Sequence, residues 1–295
     1  MTVSAVSASF SIDRDSHIAR IRISRPERRN MIDIATGRLI CDFLDQVDDD
    51  DDITAVLLSG EGPDLSAGWD VADVWSMYID APGGAVKKVP SQRARLIAVA
   101  DNWWGPRGLY SRLLHCRKVT ILEAQGDCLE TGLFFALCCD LTIAAENARF
   151  GCPRWHTLGA DGDLSLLIAA VGLKRAKDLM YTAVPWTASQ ALDYGLVDWL
   201  VPADELTAKA VEIAKMCASI MRDGIVSEKY ALFASLEKMG VGLSFAAATI
   251  VASSLSNIHF QPAEFNFLAE VKRAGEASAV AASRARLDQI STGKD

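Results

Sequence analysis

The stretch "EAQGDCLETGLFFALCCDLTIAAENARFG", residues 123–151, decides how the rest of the chain is read. It completes one short apolar run, VTILEAQG (119–126), opens a helix through the small residues of LETGL (129–133), and closes on a second apolar run, LTIAAE (141–146). Short apolar runs ended by turn residues are the pattern of buried strands, and their alternation with helices points to an α/β fold. The helix start carries chemical interest of its own. First-turn N–H groups lack an intrahelical acceptor and sit at the positive end of the helix dipole. A second such start, SAGWD (66–70), follows the strand-like run ITAVLLSG (53–60). Brought together, the two turns would aim free donors at one point, a recipe for holding an anion or a developing oxyanion.

The same alternation extends outward. In HIARIRIS (17–24), Ile21 and Ile23 alternate with Arg20 and Arg22, as in a half-buried strand. From Asp33 to Val47, the residues Leu39, Ile40, Phe43, Leu44 and Val47 share one helical face. The five aspartates that follow, 48–52, read as a solvated turn rather than a cation site, because like charges at a helix C-terminus are unfavourable and help to end it. Beyond a Pro- and Gly-containing stretch (81–90), residues 91–115 read as helical around a WWGPRG break. Helical spacing then runs through 164–182 and 188–194, and from Asp204 almost to the end. The expectation is an α/β body over residues 1–205 and a helical region over 206–295, with the last residues, RLDQISTGKD, fraying.

Composition narrows the function classes. Half of the 295 residues are apolar, enough for a large core, and the formal charge of −8 with no basic stripe excludes phosphate neutralisation along a nucleic acid. The seven cysteines (41, 116, 128, 138, 139, 152 and 217) are odd in number and form no CxxC pair. They predict buried, reduced thiols and a reducing compartment. No apolar run approaches the roughly 18 residues of a membrane span, and the start has no signal-like region, so a soluble cytoplasmic protein is expected. A GxSxG elbow, a GxGxxG turn after a strand and a Walker loop are all missing. Histidines stand only at 17, 115, 156 and 259, too scattered for a multi-His metal centre.

What remains is carboxylate chemistry in RWHTLGADGD (154–163). Asp161 and Asp163 flank Gly162 just before an apolar helix, so Asp163 can act as its N-cap. Two nearby carboxylates can also push one pKa up, leaving one acid and one base. A cation site would need further oxygen ligands that the loop lacks. Trp155 can donate its indole N–H to a carboxylate, and His156 can orient or shuttle a proton.

Together these segments resemble the enoyl-CoA hydratase/isomerase, or crotonase, superfamily over roughly residues 10–270. The resemblance is carried, in order, by ISRPERRNMI (23–32), ITAVLLSGEGPDLSAGWD (53–70), residues 123–151 and TASQALDYGLVDWLVPADEL (187–206). It implies a crotonase (ClpP-like) spiral of repeated ββα units, with a helical C-terminal region that builds a homotrimer or a dimer of trimers. It further implies an oxyanion hole from the backbone N–H groups of Trp69 and Thr131, receiving a thioester carbonyl. Gly68, Glu130, Gly132 and Arg154 would lie beside the acyl group, and Arg29 would meet coenzyme A phosphates. Coenzyme A would enter as part of the substrate, with no separate cofactor and no metal.

Where typical hydratases of that family carry two glutamates, this chain has Phe134 and Arg154, so standard two-glutamate water addition is disfavoured. WHTLGADGD resembles the 4-chlorobenzoyl-CoA dehalogenase branch, which makes Asp163 the match for a nucleophile and Trp155 its hydrogen-bond partner. Asp161 falls where C–C hydrolases of the same fold keep an aspartate. The histidine base of the dehalogenase branch has no counterpart in WWGPRG. The resemblance therefore implies an enzyme acting on an acyl-CoA or a diketone by hydration or hydrolysis, including retro-Claisen cleavage. Its alternatives are an atypical hydratase/isomerase, a dehalogenase-like enzyme and a non-catalytic coenzyme A-binding homologue. Trp69, Trp75, Trp103, Trp104 and Trp155 suggest a bulky or ring-containing acyl group, although core packing also suits those in helices.

Overall fold

The Ile/Arg alternation becomes a strand with one face on a core: Ile21 and Ile23 are buried while Arg22 between them is exposed. The computed structural model describes residues 7–70, 92–254, 261–262 and 264–292; Trp75, His259 and the stretch 81–90 lie outside the described residues. In chain order the strands are β1 (Ala8–Asp13), β2 (Ile18–Ile23), β3 (Ala55–Gly60), β4 (Val119–Ala124), β5 (Asp127–Leu129), β6 (Leu141–Ala145), β7 (Arg149–Gly151), β8 (Trp186–Thr187) and β9 (Trp199–Val201). A six-stranded sheet runs β1-β2-β3-β4-β6-β9, antiparallel at the β1–β2 hairpin and parallel elsewhere. A second sheet of three short strands runs β5-β7-β8.

Successive units place one strand in the large sheet and a short one in the small sheet before turning into a helix. β4, β5 and the helix Thr131–Cys138 form one unit; β6, β7 and the helix Trp155–Leu158 form the next. The expected spiral of ββα units is thus present. The short strands escape periodicity because two or three residues cannot display an alternation.

Burial on both faces explains why the central strands are continuously apolar. In β3, Val56 and Leu58 join the main core with Ile40, Leu44 and Val47 of the helix Ile34–Asp48. Ala55 and Leu57 face the opposite way, onto Leu206, Ala210 and Ile213 of the helix Leu206–Ala218. Asp33 caps the first of these helices by accepting the Thr36 N–H at 2.7 Å. The aspartate run after it is held by cations: Asp48 accepts from Arg117, Asp50 pairs with Arg14, and Asp52 pairs with Arg222. It ends the helix, as expected.

The WWGPRG break (103–108) is a π segment, Ala100–Trp104, that ends on the two tryptophans, followed by a turn at 105–108, between the helices Gln92–Val99 and Leu109–Leu114. Both tryptophans are buried there. After residue 205 the described chain is helical. Leu206–Ala218 covers the back of the sheet, and Arg222–Lys238 is tied to the residue before β6 by a half-buried pair, Lys229 Nζ to Asp140 at 2.7 Å. Val241–Ser254 returns to the front and lays Phe245 on Trp104, with ring centroids 5.6 Å apart. The final helix, Glu276–Thr292, continues through most of the segment expected to fray. No single described helix is long and apolar enough to cross a membrane.

Candidate active site

Two loops that are distant in sequence are zipped together by backbone pairing. Ser66 bridges Cys128, with the Ser66 N–H donating to Asp127 and the Leu129 N–H donating to Ser66, each at 2.9 Å. Beyond this bridge one chain runs through Gly68 to Trp69, and the other through Glu130 to Thr131. Gly68 is required at the contact. Its φ is +114°, and a Cβ there would stand 2.8 Å from Glu130 Cγ. Gly132 is also pressed close, since a Cβ would meet the Ser66 carbonyl at 3.1 Å.

The polar groups around Trp69 are nearly all used. The Gly68 carbonyl accepts from Ile32, the Asp70 N–H donates to Ile32, and the Trp69 carbonyl accepts from Arg154. The Trp69 N–H has no acceptor among the described residues. Neither has the Thr131 N–H, which opens its helix and so has no intrahelical partner. The two donors expected for an oxyanion hole are therefore both unspent, on paired and adjacent segments. Thr131 is fully buried, and its Oγ1 accepts from the Tyr110 hydroxyl at 3.1 Å.

Beside them lies a narrow aromatic cleft, whose walls include Trp69, Trp103, Trp104, Tyr110 and Phe134. Asp161 is its acidic wall, and Ala252 of the helix Val241–Ser254 closes another side. Asp161 is 5 % exposed, and its Oδ1 accepts the Trp155 indole N–H at 2.7 Å. Burial raises its pKa, opposed by that hydrogen bond and by the charge of Arg154.

Asp163, two residues on, does different work. Its Oδ1 caps the helix Leu164–Val171 by accepting the Leu166 N–H at 2.8 Å, and takes a second bond from the Ser244 hydroxyl at 2.5 Å. Its Oδ2 is buried without a partner among the described residues, and burial raises this carboxyl too. Gly162 makes the separation possible. Its φ is +88°, and a Cβ would lie 2.5 Å from the Phe134 ring. The resemblance paired Trp155 with Asp163; the fold pairs it with Asp161 instead, because the chain turns at Gly162 and Asp163 is taken by the helix start.

Other expected site residues fall as follows. His156 is exposed and makes no side-chain hydrogen bond to a described residue. Arg29 is held by Asp64 and Asp127, its side chain about half exposed. Glu130 is fully buried at a positive φ of 49°. Its Oε1 accepts the Arg154 backbone N–H at 3.0 Å, and its Oε2 has no hydrogen-bond partner among the described residues. Burial pushes it up to about 7, against the pull of the Arg154 charge. Phe134 and Trp104 meet edge to face at 4.9 Å within the cleft wall, so Phe134 contributes an apolar surface. Among the described residues, no cluster of three or more His, Cys, Asp or Glu side chains could hold a metal ion.

Sequence reasoning missed Tyr110, Ser244 and Ala252. None carries a local signal, and Ser244 reaches Asp163 from 81 positions away.

This fold is that of the crotonase superfamily. The enoyl-CoA hydratase/isomerase family model matches residues 13–268, and the chain belongs to that family. It is 30% identical to the Mycobacterium bovis protein named "Probable enoyl-CoA hydratase echA8", over 72% of this chain and 77% of that one. It is 28% identical to 4-chlorobenzoyl coenzyme A dehalogenase-1 of Arthrobacter sp, over 71% and 72%. Among solved structures, the enoyl-CoA hydratase/isomerase from Xanthobacter autotrophicus Py2 superposes with a TM-score of 0.76 at 29% identity, covering 96% of this chain and 99% of that chain.

Proposed function

We propose that the protein acts on an acyl-CoA thioester, or a similarly activated carbonyl compound, with a compact apolar or ring-containing acyl group. The N–H groups of Trp69 and Thr131 receive the carbonyl oxygen and stabilise the negative charge that builds on it. Asp161 moves the proton. The observation that carries this reading is the position of Asp161: a buried carboxylate in the wall of an aromatic cleft, oriented by Trp155. Its raised pKa lets it hold a proton and deliver it to the carbon that the enolate leaves unprotonated. It gains that proton from the attacking water, whose oxygen bonds to the substrate carbon, and in the reverse direction it takes the proton back from the carbon next to the carbonyl. Hydration of a conjugated acyl group and hydrolytic C–C cleavage of a β-keto compound both follow from this arrangement. Asp163 stands outside the cleft wall with Oδ1 occupied twice, which argues against its attack on a substrate ring.

The test follows absorbance of crotonyl-CoA and of a β-diketone with purified protein. Asp161→Asn is expected to lose roughly 10²- to 10⁴-fold in rate while still binding benzoyl-CoA, the usual scale for a proton-transferring group. Unchanged rates in Asp161→Asn would sink the role given to Asp161, and a wild type that binds benzoyl-CoA but converts neither substrate would favour a non-catalytic coenzyme A-binding protein. We further propose that the working unit is a homotrimer or a dimer of trimers. Exposed apolar side chains in the C-terminal helical region, among them Met221 and Met239 at the two ends of the helix Arg222–Lys238 and Leu243 on Val241–Ser254, support it.

A further inference from the structure

The position that carries an acid in ordinary hydratases is Arg154 here, and its surroundings give it a different task. Both terminal nitrogens of its guanidinium lie 3.3 Å from the Trp69 carbonyl oxygen. Its charged carbon lies 5.5 Å from the centroid of the Trp69 ring. The residue is anchored from the other loop, because its backbone N–H donates to Glu130 Oε1 at 3.0 Å. Glu130 immediately precedes Thr131 and presses against Gly68. Each of the two donors therefore has a neighbour bonded to Arg154: Trp69 itself on one side, Glu130 on the other.

We propose that Arg154 is a positioning residue of the oxyanion hole, cross-linking the Trp69 and Glu130–Thr131 loops and lending its positive charge to the site where the oxyanion forms. The inference rests on the reading of Trp69 and Thr131 as carbonyl donors. With Ile32 holding Gly68 and Asp70, the Arg154 bond to the Trp69 carbonyl is what fixes Trp69 between them. A donor free to rotate would give up part of its hydrogen bond when charge develops, whereas a fixed one costs no reorganisation at that moment. A guanidinium suits the task because its planar fork places two donors on one oxygen and keeps its charge at any working pH.

The probe is benzoyl-CoA labelled with carbon-13 at the carbonyl, read by infrared difference spectroscopy on the full chain. Wild-type protein is expected to lower the carbonyl stretching frequency on binding. In Arg154→Met, most of that displacement is expected to be lost. In Arg154→Lys, which keeps the charge but not the fork, part of it should return. Asp161→Asn should keep the displacement in full. Affinity gives a second readout: wild type should prefer benzoyl-CoA over benzyl-CoA, its carbonyl-free thioether, by about tenfold, a preference worth roughly one good hydrogen bond. Arg154→Met should erase that preference. A full displacement and preference in folded Arg154→Met would overturn the positioning role; should that variant not fold, Arg154→Lys with wild-type values of both would do the same. Were wild type itself to show neither, the donor reading of Trp69 and Thr131 would fail first, independently of Arg154.

Discussion

Glu130 shows how one residue can bend the local rules and be held there. It is a non-glycine residue at positive φ, a conformation that costs of order 1–3 kcal/mol, and it is a carboxylic acid without solvent. Its burial has a measurable consequence for stability. The folded protein keeps the Glu130 proton up to about 7, whereas an unperturbed carboxyl releases it near 4.5. Across that window the native state binds more protons than the unfolded chain, so stability is fully present below about 4.5 and falls as pH rises towards 7. Asp161 and Asp163 are raised as well and act in the same direction. Melting temperature measured across this range should fall towards neutrality, and Glu130→Gln, which keeps an oxygen for the Arg154 N–H, should flatten the slope. A variant with an unaltered slope would show that Glu130 is ionised throughout. None of this is visible in LETGL as a string, where Glu130 looks like a surface residue at a helix start. Burial by Gly68 and Arg154, from two remote segments, is what changes it.

Among the elements, the helix Leu164–Val171 has a start that was legible and a partner that was not. An aspartate just before an apolar periodic run is an N-cap pattern, and Asp163 caps as read. The pattern does not reveal that Ser244, on the helix Val241–Ser254, completes the same carboxylate and docks that helix over the cleft. Asp163→Ala is expected to cost about 1 kcal/mol for the cap and a further 1–3 kcal/mol for the Ser244 hydroxyl left behind, read by denaturant unfolding. Asp161→Asn should cost much less stability and far more activity. A large activity loss in Asp163→Asn, with stability intact, would reverse these roles. Strands β5, β7 and β8 also lay beyond reading, because two- or three-residue strands exist only through the neighbours they pair with.

On the scale of the whole molecule, the helical region does not stand apart from the body. Leu206–Ala218 buries the second face of the sheet, and Val241–Ser254 supplies part of the cleft wall. The same region leaves Leu243 78 % exposed and Met239 61 % exposed, a surface suited to burial between copies. Light scattering is expected to give a trimer or a hexamer, and Leu243→Glu should lower the mass; a monomeric wild type would refute the assembly. The alternation of the longer strands with helices, the Asp163 cap and the small-residue helix start at Thr131 were determined by sequence alone. Each depends on local periodicity or on the chemistry of one turn. The role of each acid was decided only by the tertiary structure. Asp161 and Asp163 differ by two positions and are the same residue type. What separates them is the turn at Gly162 and the groups that meet each carboxylate: the Trp155 indole and the cleft for one, a helix start and Ser244 for the other. Desolvation and hydrogen bonding set a carboxyl group's chemistry, and both are properties of its neighbours in space.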